Sequence, residues 1–441
     1  MNLRRLSLLL AFLVVLASPA HAQGERIERV TSPGGIEVWL IRDNSLPLLG
    51  IEFSWRGGSS MDPDGKEGRA AMTADLLVQG AGPRDQQQFT AVTEDKSISL
   101  GFSAGLDTVQ GSLRVLSRDK DLGIELLADA LARPRFDAAQ VERIRASILS
   151  ALSREEGSPE TIGRRAFARA AFGAHPYSRP TRGTPESVKA LNEADFRAEL
   201  ATVYARDNLY VAAVGDTNPA ELGRLVDRAF AGLPARASLA SVPRAAIGGA
   251  GRTIVIERPG SQTYALFGHA GISRDDPDLF AATLVNYILG GGGFNSRLML
   301  SVREKAGLTY GIGTGLAIFE RANFLQGSTS SENGTVGRAL DLVRAEWARM
   351  GSEGPTEDEL QGAKDYVLGS FPLQFEGTGR IARQLVNMRL DGRGTDWFEE
   401  RQRRIAAVTL ADARRVASRL FVPAQLLVVA VGQPAGIASS N

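Results

Sequence analysis

Residues 191–215, LNEADFRAELATVYARDNLYVAAVG, return at residues 408–432 as VTLADARRVASRLFVPAQLLVVAVG, an offset of 408 − 191 = 217 positions. The alignment needs no gap. Ala194, Asp195, Arg197, Leu209, Val211, Ala213, Val214 and Gly215 recur as Ala411, Asp412, Arg414, Leu426, Val428, Ala430, Val431 and Gly432, and Tyr204 faces Phe421. Each copy reads as an amphipathic helix running into an apolar strand. A block repeated at this offset implies a duplicated domain of about 200 residues, an ordinary domain size. The join falls in ARASLASVPRAAIGGAG, Ala235–Gly251, whose small residues, Pro and Gly suit an exposed linker. The expected organisation is a first domain at 23–235, a linker at 236–251 and a second domain at 252–441, behind a leader at 1–22.

Outward from the repeat, the first half begins with GGIEVWLI and LLGIEFSW, read as a hairpin over Gly34–Phe53 around Asp43, Asn44 and Ser45. Leu122–Leu131 and Ala138–Leu152 read as amphipathic helices. The second half opens with two strands, TIVIERPG and QTYALFGHAGI, followed by an apolar helix over Leu279–Leu289. Thr356 with Glu359 forms a capping-box start for a helix reaching Gly369. Of the two histidines beyond the leader, His175 sits in a turn-rich loop and reads as a loop-ordering residue. His269 sits in a strand and reads as a core or edge residue.

The helix at Leu279–Leu289 delivers Leu289–Phe319, LGGGGFNSRLMLSVREKAGLTYGIGTGLAIF. Ser296 suits the N-cap of a helix over Arg297–Lys305, and Gly307 a left-handed residue at its end. From Leu308 to Leu316, larger side chains alternate with Thr309, Gly311, Gly313 and Gly315. That is strand periodicity with one face nearly bare, as where another backbone or a ligand comes close. Arg303 in the last helical turn and Tyr310 near the strand's start are brought into one region by the turn between them. Alone, the two also suit a helix-dipole arginine and a core tyrosine. The four glycines at Gly290–Gly293 lack the Lys-Ser/Thr of a phosphate loop.

GGGFNSRLMLSVREKAGLTYGIG resembles the second-domain signature of the pitrilysin (insulinase-type) zinc peptidases, in the half-length, two-domain form related to the mitochondrial processing peptidase. The resemblance is specific around 52–82, 172–216 and 286–312. It implies an α+β fold of two homologous domains, each a mainly antiparallel sheet packed with helices, together forming half of a clamshell. It also implies that Arg303 and Tyr310 hold the substrate backbone and stabilise the oxyanion, with Gly311 and Gly313 beside them on the substrate side. A planar fork of donors suits peptide oxygens, and a phenolic O–H suits a site where negative charge develops.

The same resemblance exposes an absence. WRGGSSMDPDGKEGRAAMTADLLVQGA matches the segment where the family carries H-x-x-E-H, two zinc-binding histidines and a general base. Here Ala71 and Asp75 stand at the histidine positions and Ala74 at the glutamate. The family's distant glutamate ligand falls on Ser150 and Ala151. The sequence has no Cys, so a His/Cys zinc site cannot be assembled locally.

Composition bounds the rest. The 441 residues are 43% apolar and 23% charged, ordinary for a globular protein, and no like-charge run points to nucleic acid. Arg4 and Arg5, the apolar Leu6–Leu16 and Ala20-His21-Ala22 read as a cleaved secretory leader, with an uncleaved membrane anchor as the alternative. Its removal leaves a net charge of 49 − 50 = −1. A bacterial periplasm is the expected compartment, with no stable membrane insertion. The resulting expectation is a non-catalytic subunit that binds peptide substrates, has no cofactor of its own, and pairs with a homologous H-x-x-E-H subunit carrying zinc. The alternative is a catalytically inactive peptide-binding or scaffold protein with a peptidase fold.

Overall fold

The most deeply buried strands are the two copies of the repeat's apolar run. In the computed structural model, which describes residues 27–440, these are β6 (Leu209–Gly215) and β11 (Leu427–Gly432). The first sheet also contains β1 (Glu28–Thr31), β2 (Glu37–Arg42), β3 (Leu48–Arg56), β4 (Ser99–Ala104) and β5 (Thr108–Leu116), in the order β1-β2-β6-β3-β5-β4. The second contains β7 (Thr253–Glu257), β8 (Gln262–Ala270), β9 (Ile312–Ile318) and β10 (Asn323–Glu332), in the order β7-β11-β8-β10-β9. Apart from the extra edge strand β1, the two orders are the same. Each sheet is antiparallel except where its buried strand meets β2 or β7. The leader at 1–22 lies outside the described residues.

The expected hairpin over Gly34–Phe53 does not form. β2 and β3 are separated by β6, which runs parallel to β2 and antiparallel to β3. A run such as Val211–Gly215 has no polar side to give to water, so it belongs where strands flank both its edges. Residues 43–47 step over it. β7 and β8 are parted by β11 in the same way. Gly215 closes the strand at φ 134°, and a Cβ there would lie 2.2 Å from the Leu48 carbonyl oxygen, so the repeated glycine is a packing requirement.

The helices follow the same offset. Glu193–Val203 and Leu410–Leu420 are separated by 410 − 193 = 217 positions, and each starts with a capping box, Asn192 with Asp195 and Thr409 with Asp412. Residues 235–251 contain no helix or strand.

Two helices bridge the halves. The helix Pro159–Phe172 of the first half lays Phe167 and Ala171 on Leu266, Val429 and Val431 of the second sheet. Its counterpart Thr378–Leu390 lays Leu385, Val386 and Met388 on Trp39, Ala212 and Val214 of the first. Arg389 fixes this second contact, donating to the carbonyls of Glu37 and Val211 at 2.7 Å each. The tip of the β9–β10 hairpin is gripped by the first half as well. Tyr177 donates its hydroxyl to Asp107 (2.5 Å) and accepts from the Arg321 N–H (3.0 Å), while Asp107 accepts from the Glu320 N–H (3.1 Å). Among the described residues no helix is long and apolar enough to cross a membrane.

Candidate functional site

The Arg303/Tyr310 element begins with a helix that changes its pitch. Leu279–Asn286 is α-helical, and Tyr287–Gly291 continues it as a π-helical turn, a form common at functional sites. Gly290 brings this end against β9. A Cβ there would lie 2.5 Å from the Thr314 hydroxyl, which itself donates to Asn286 Oδ1 at 2.8 Å. After the glycines, Ser296 Oγ accepts from the Met299 N–H (3.4 Å), and a second π-helical segment runs over Met299–Lys305.

This second segment is anchored from its base. Arg297, 7% exposed, donates from Nε and Nη2 to both Glu359 carboxylate oxygens (2.7 and 2.6 Å) and from Nη2 to the Gly354 carbonyl (2.9 Å). Glu359 is the capping-box acid of the helix Glu357–Gly369, so the cap of one helix holds the start of another. At the far end Gly307 takes φ 65°, with its N–H on the Arg303 carbonyl (2.9 Å) and the Leu308 N–H on the Val302 carbonyl (3.0 Å).

Arg303 stacks its guanidinium over Phe294, 4.6 Å from the ring centre, with Nε 3.7 Å from Glu304. Tyr310 is 86% exposed. It stands before the strand rather than in it, since β9 starts at Ile312. The Thr309 hydroxyl accepts the Gly311 N–H (3.1 Å) and donates to the Ser330 carbonyl (2.7 Å), which holds residues 309–311 as a loop. Phe294 and Leu300 are exposed on the same element. β9 is the free edge of its sheet, and a Cβ at Gly311 or Gly315 would meet nothing within 4 Å. At Gly313 it would meet only the Gly290 carbonyl, at 3.3 Å. An open strand edge of this kind can take an added strand.

The second place of interest is the helix Arg69–Leu76. Ala71 and Asp75, one turn apart, open on a cavity of about 530 Å³ between the halves, whereas Ala74 is fully buried. From the helix Ala138–Glu156 the cavity is reached by Leu152 and Glu155, not by Ser150 or Ala151. Ser150 instead accepts a hydrogen bond from Arg154 (2.6 Å). Zinc does not fit. Asp75 and Glu155 are the cavity's only acids, no imidazole lines it, and no group of three metal-binding side chains occurs among the described residues. Burial pushes the Asp75 carboxyl up, and the charge of Arg182 opposes that shift. Neither Arg303 nor Tyr310 lines this cavity.

The two histidines serve structure. His175 accepts the Tyr177 N–H on Nδ1 (3.1 Å), with Nε2 2.9 Å from the Pro243 carbonyl, and so orders its loop. His269 is 3% exposed and accepts the Trp347 indole N–H (3.0 Å), and burial lowers its pKa.

Sequence reading missed a buried acid pair beneath the motif helix. Asp62 accepts the N–H groups of Gly68 (2.8 Å) and Ala70 (3.0 Å) at the helix start. Arg69 lies between it (3.9 Å) and Glu199 (2.7 Å), so two buried carboxyls share one guanidinium. Burial, then the charge of Glu199, raises Asp62 to about 7. The folded value lies above the unfolded one of about 4. The folded chain therefore holds more protons between these values, and stability falls as pH rises from about 4 to about 7. Between about pH 5 and 7, Asp62→Asn is expected to flatten the fall in thermal midpoint expected of the unaltered chain. Equal slopes in both would refute the assignment.

Comparison with known proteins places these features. Residues 190–367 match the family model described as the peptidase M16 inactive domain. The chain is 26% identical to a non-peptidase homologue, YmxG, of Helicobacter pylori, over 75% of this chain and 76% of that one. It is 25% identical to the mitochondrial-processing peptidase subunit beta of Blastocladiella emersonii, over 91% and 87%. A crystal structure of a peptidase M16 inactive domain from Pseudomonas fluorescens superposes with a TM-score of 0.87 at 28% identity, covering 94% of this chain and 99% of that one.

Proposed function

Because the chain is an inactive member of the pitrilysin-type M16 family, in its half-length two-domain form, we propose that it acts as the non-catalytic subunit of a heteromeric zinc peptidase. The observation that carries this reading is the outward placement of Tyr310. A phenol 86% exposed, on the element that also carries the Phe294-stacked Arg303 and just before the free edge strand β9, is available to a second molecule and does not line the chain's own cavity. The partner is a homologous H-x-x-E-H subunit that supplies zinc and general base. This chain supplies Arg303 to peptide carbonyls and the Tyr310 hydroxyl to the developing oxyanion. Peptide lies along the edge at Gly311 and Gly313 as an added strand. Secretion to the periplasm, from the leader at 1–22, belongs to the same reading.

The exposed group Phe294, Leu300 and Tyr310 supports a protein contact at this element. The loss of every motif position equally suits a catalytically inactive peptide-binding or scaffold protein. Coexpression with an H-x-x-E-H homologue encoded in the same genome separates the two. The expected result is a copurifying pair that contains zinc and cleaves a fluorogenic peptide, while this chain alone is inert. A chain that elutes alone in every such trial would overturn the subunit reading.

A further inference from the structure

The cavity beside Ala71 and Asp75 has a charge pattern of its own. Four arginines line it, and two are already committed to acids: Arg164 to Glu160, and Arg179 to Asp64 at 2.6 Å. The side chains of the other two, Arg165 and Arg182, form no hydrogen bond or ion pair among the described residues. Nor do the side chains of the cavity's two acids, Asp75 and Glu155. Two guanidiniums and two carboxylates thus face one space, with no N···O approach between them within the 4.0 Å of an ion pair. Unpartnered charges scattered over a surface are ordinary. Here they line one cavity whose wall also carries an aromatic patch, Phe167 from the first half and Phe319 and Phe324 from the second, alongside polar Ser103, Ser178 and Gln326.

The charge balance selects the ligand. Two positive and two negative groups give no net attraction to a simple anion or a simple cation. They match a molecule carrying one charge of each sign. The aromatic wall asks for an apolar body between those charges. About 530 Å³ falls within the range of small-molecule sites and is too small for a folded chain.

We propose that this cavity binds a short zwitterionic peptide of two or three residues with a bulky apolar side chain. Its carboxylate meets Arg165 and Arg182, its ammonium group meets Asp75, and its side chain lies against Phe319 and Phe324. Ala71 leaves the room in which the ligand sits. The site belongs to this chain alone and does not depend on the partner proposed above. It would nonetheless suit the products of peptide cleavage.

Titration calorimetry of the full chain with Leu-Phe, N-acetyl-Leu-Phe and Leu-Phe-amide tests the assignment. The free dipeptide is expected to bind, and each cap to weaken it roughly tenfold or more, because each removes a charge-assisted contact. In Arg182→Gln the amide should bind as well as the free acid. In Asp75→Asn the acetyl cap should cease to matter. Ala71→Phe should abolish binding of all three by filling the space. Absence of binding by the unaltered chain, indifference to both caps, or sensitivity to only one cap would each overturn the proposal. None of these outcomes touches the zinc and activity test of the copurified pair.

Discussion

Replacing Arg297 by alanine is expected to cost about 3 kcal/mol of stability, at the lower end of what breaking a buried ion pair costs. Arg297 is 7% exposed and its partner Glu359 is partly exposed, which keeps the penalty from the top of the range. The loss has two parts. Glu359 keeps a partly buried charge: burial raises its pKa, and only the hydrogen bonds from Arg297 and Thr356 together with the Arg297 charge hold it below the usual value. The Gly354 carbonyl also loses its donor. Arg297→Lys should recover only part, since an ammonium cannot bridge both carboxylate oxygens and Gly354 together. Denaturant unfolding monitored on the second half gives the number, and a change below about 1 kcal/mol would refute the anchoring role. The loss also releases the base of the helix that carries Arg303.

Tyr310→Phe should behave in the opposite manner. In the isolated chain it should move stability by no more than about 0.5 kcal/mol, because the side chain is exposed and makes no hydrogen bond among the described residues. In the copurified peptidase pair it should lower kcat by about a hundredfold or more, the usual effect of deleting one oxyanion donor. KM should change little, because the hydroxyl acts where charge develops and not on the bound ground state. A fall of less than about threefold would remove Tyr310 from the chemistry. Arg303→Ala should instead raise KM as well, since its donors hold ground-state carbonyls.

Much of this was legible in the residues because it was local or repeated. The capping box at Thr356, the helix at Arg297–Lys305 and the left-handed Gly307 all follow from short stretches. Three things were not. β6 enters between β2 and β3 from more than a hundred and fifty residues away, and no turn signal near Asp43 reports it. Tyr310 leaves the strand because the Thr309 hydroxyl takes the Gly311 N–H, a side-chain competition that alternation cannot display. The charges in the cavity come from separate elements, and each alone reads as a solvated face. Only the fold sets Asp75, Glu155, Arg165 and Arg182 around one space.

The two bridging helices say something about origin. Pro159–Phe172 covers the sheet of the other half, and Thr378–Leu390 returns the favour, at matching positions of the two repeats. That is the geometry of a domain-swapped homodimer written into one polypeptide. Before the halves were fused, each would have been an incomplete protein, with an apolar sheet face completed only by a second copy. Fusion made the exchange intramolecular, replacing a concentration-dependent assembly with a permanent one.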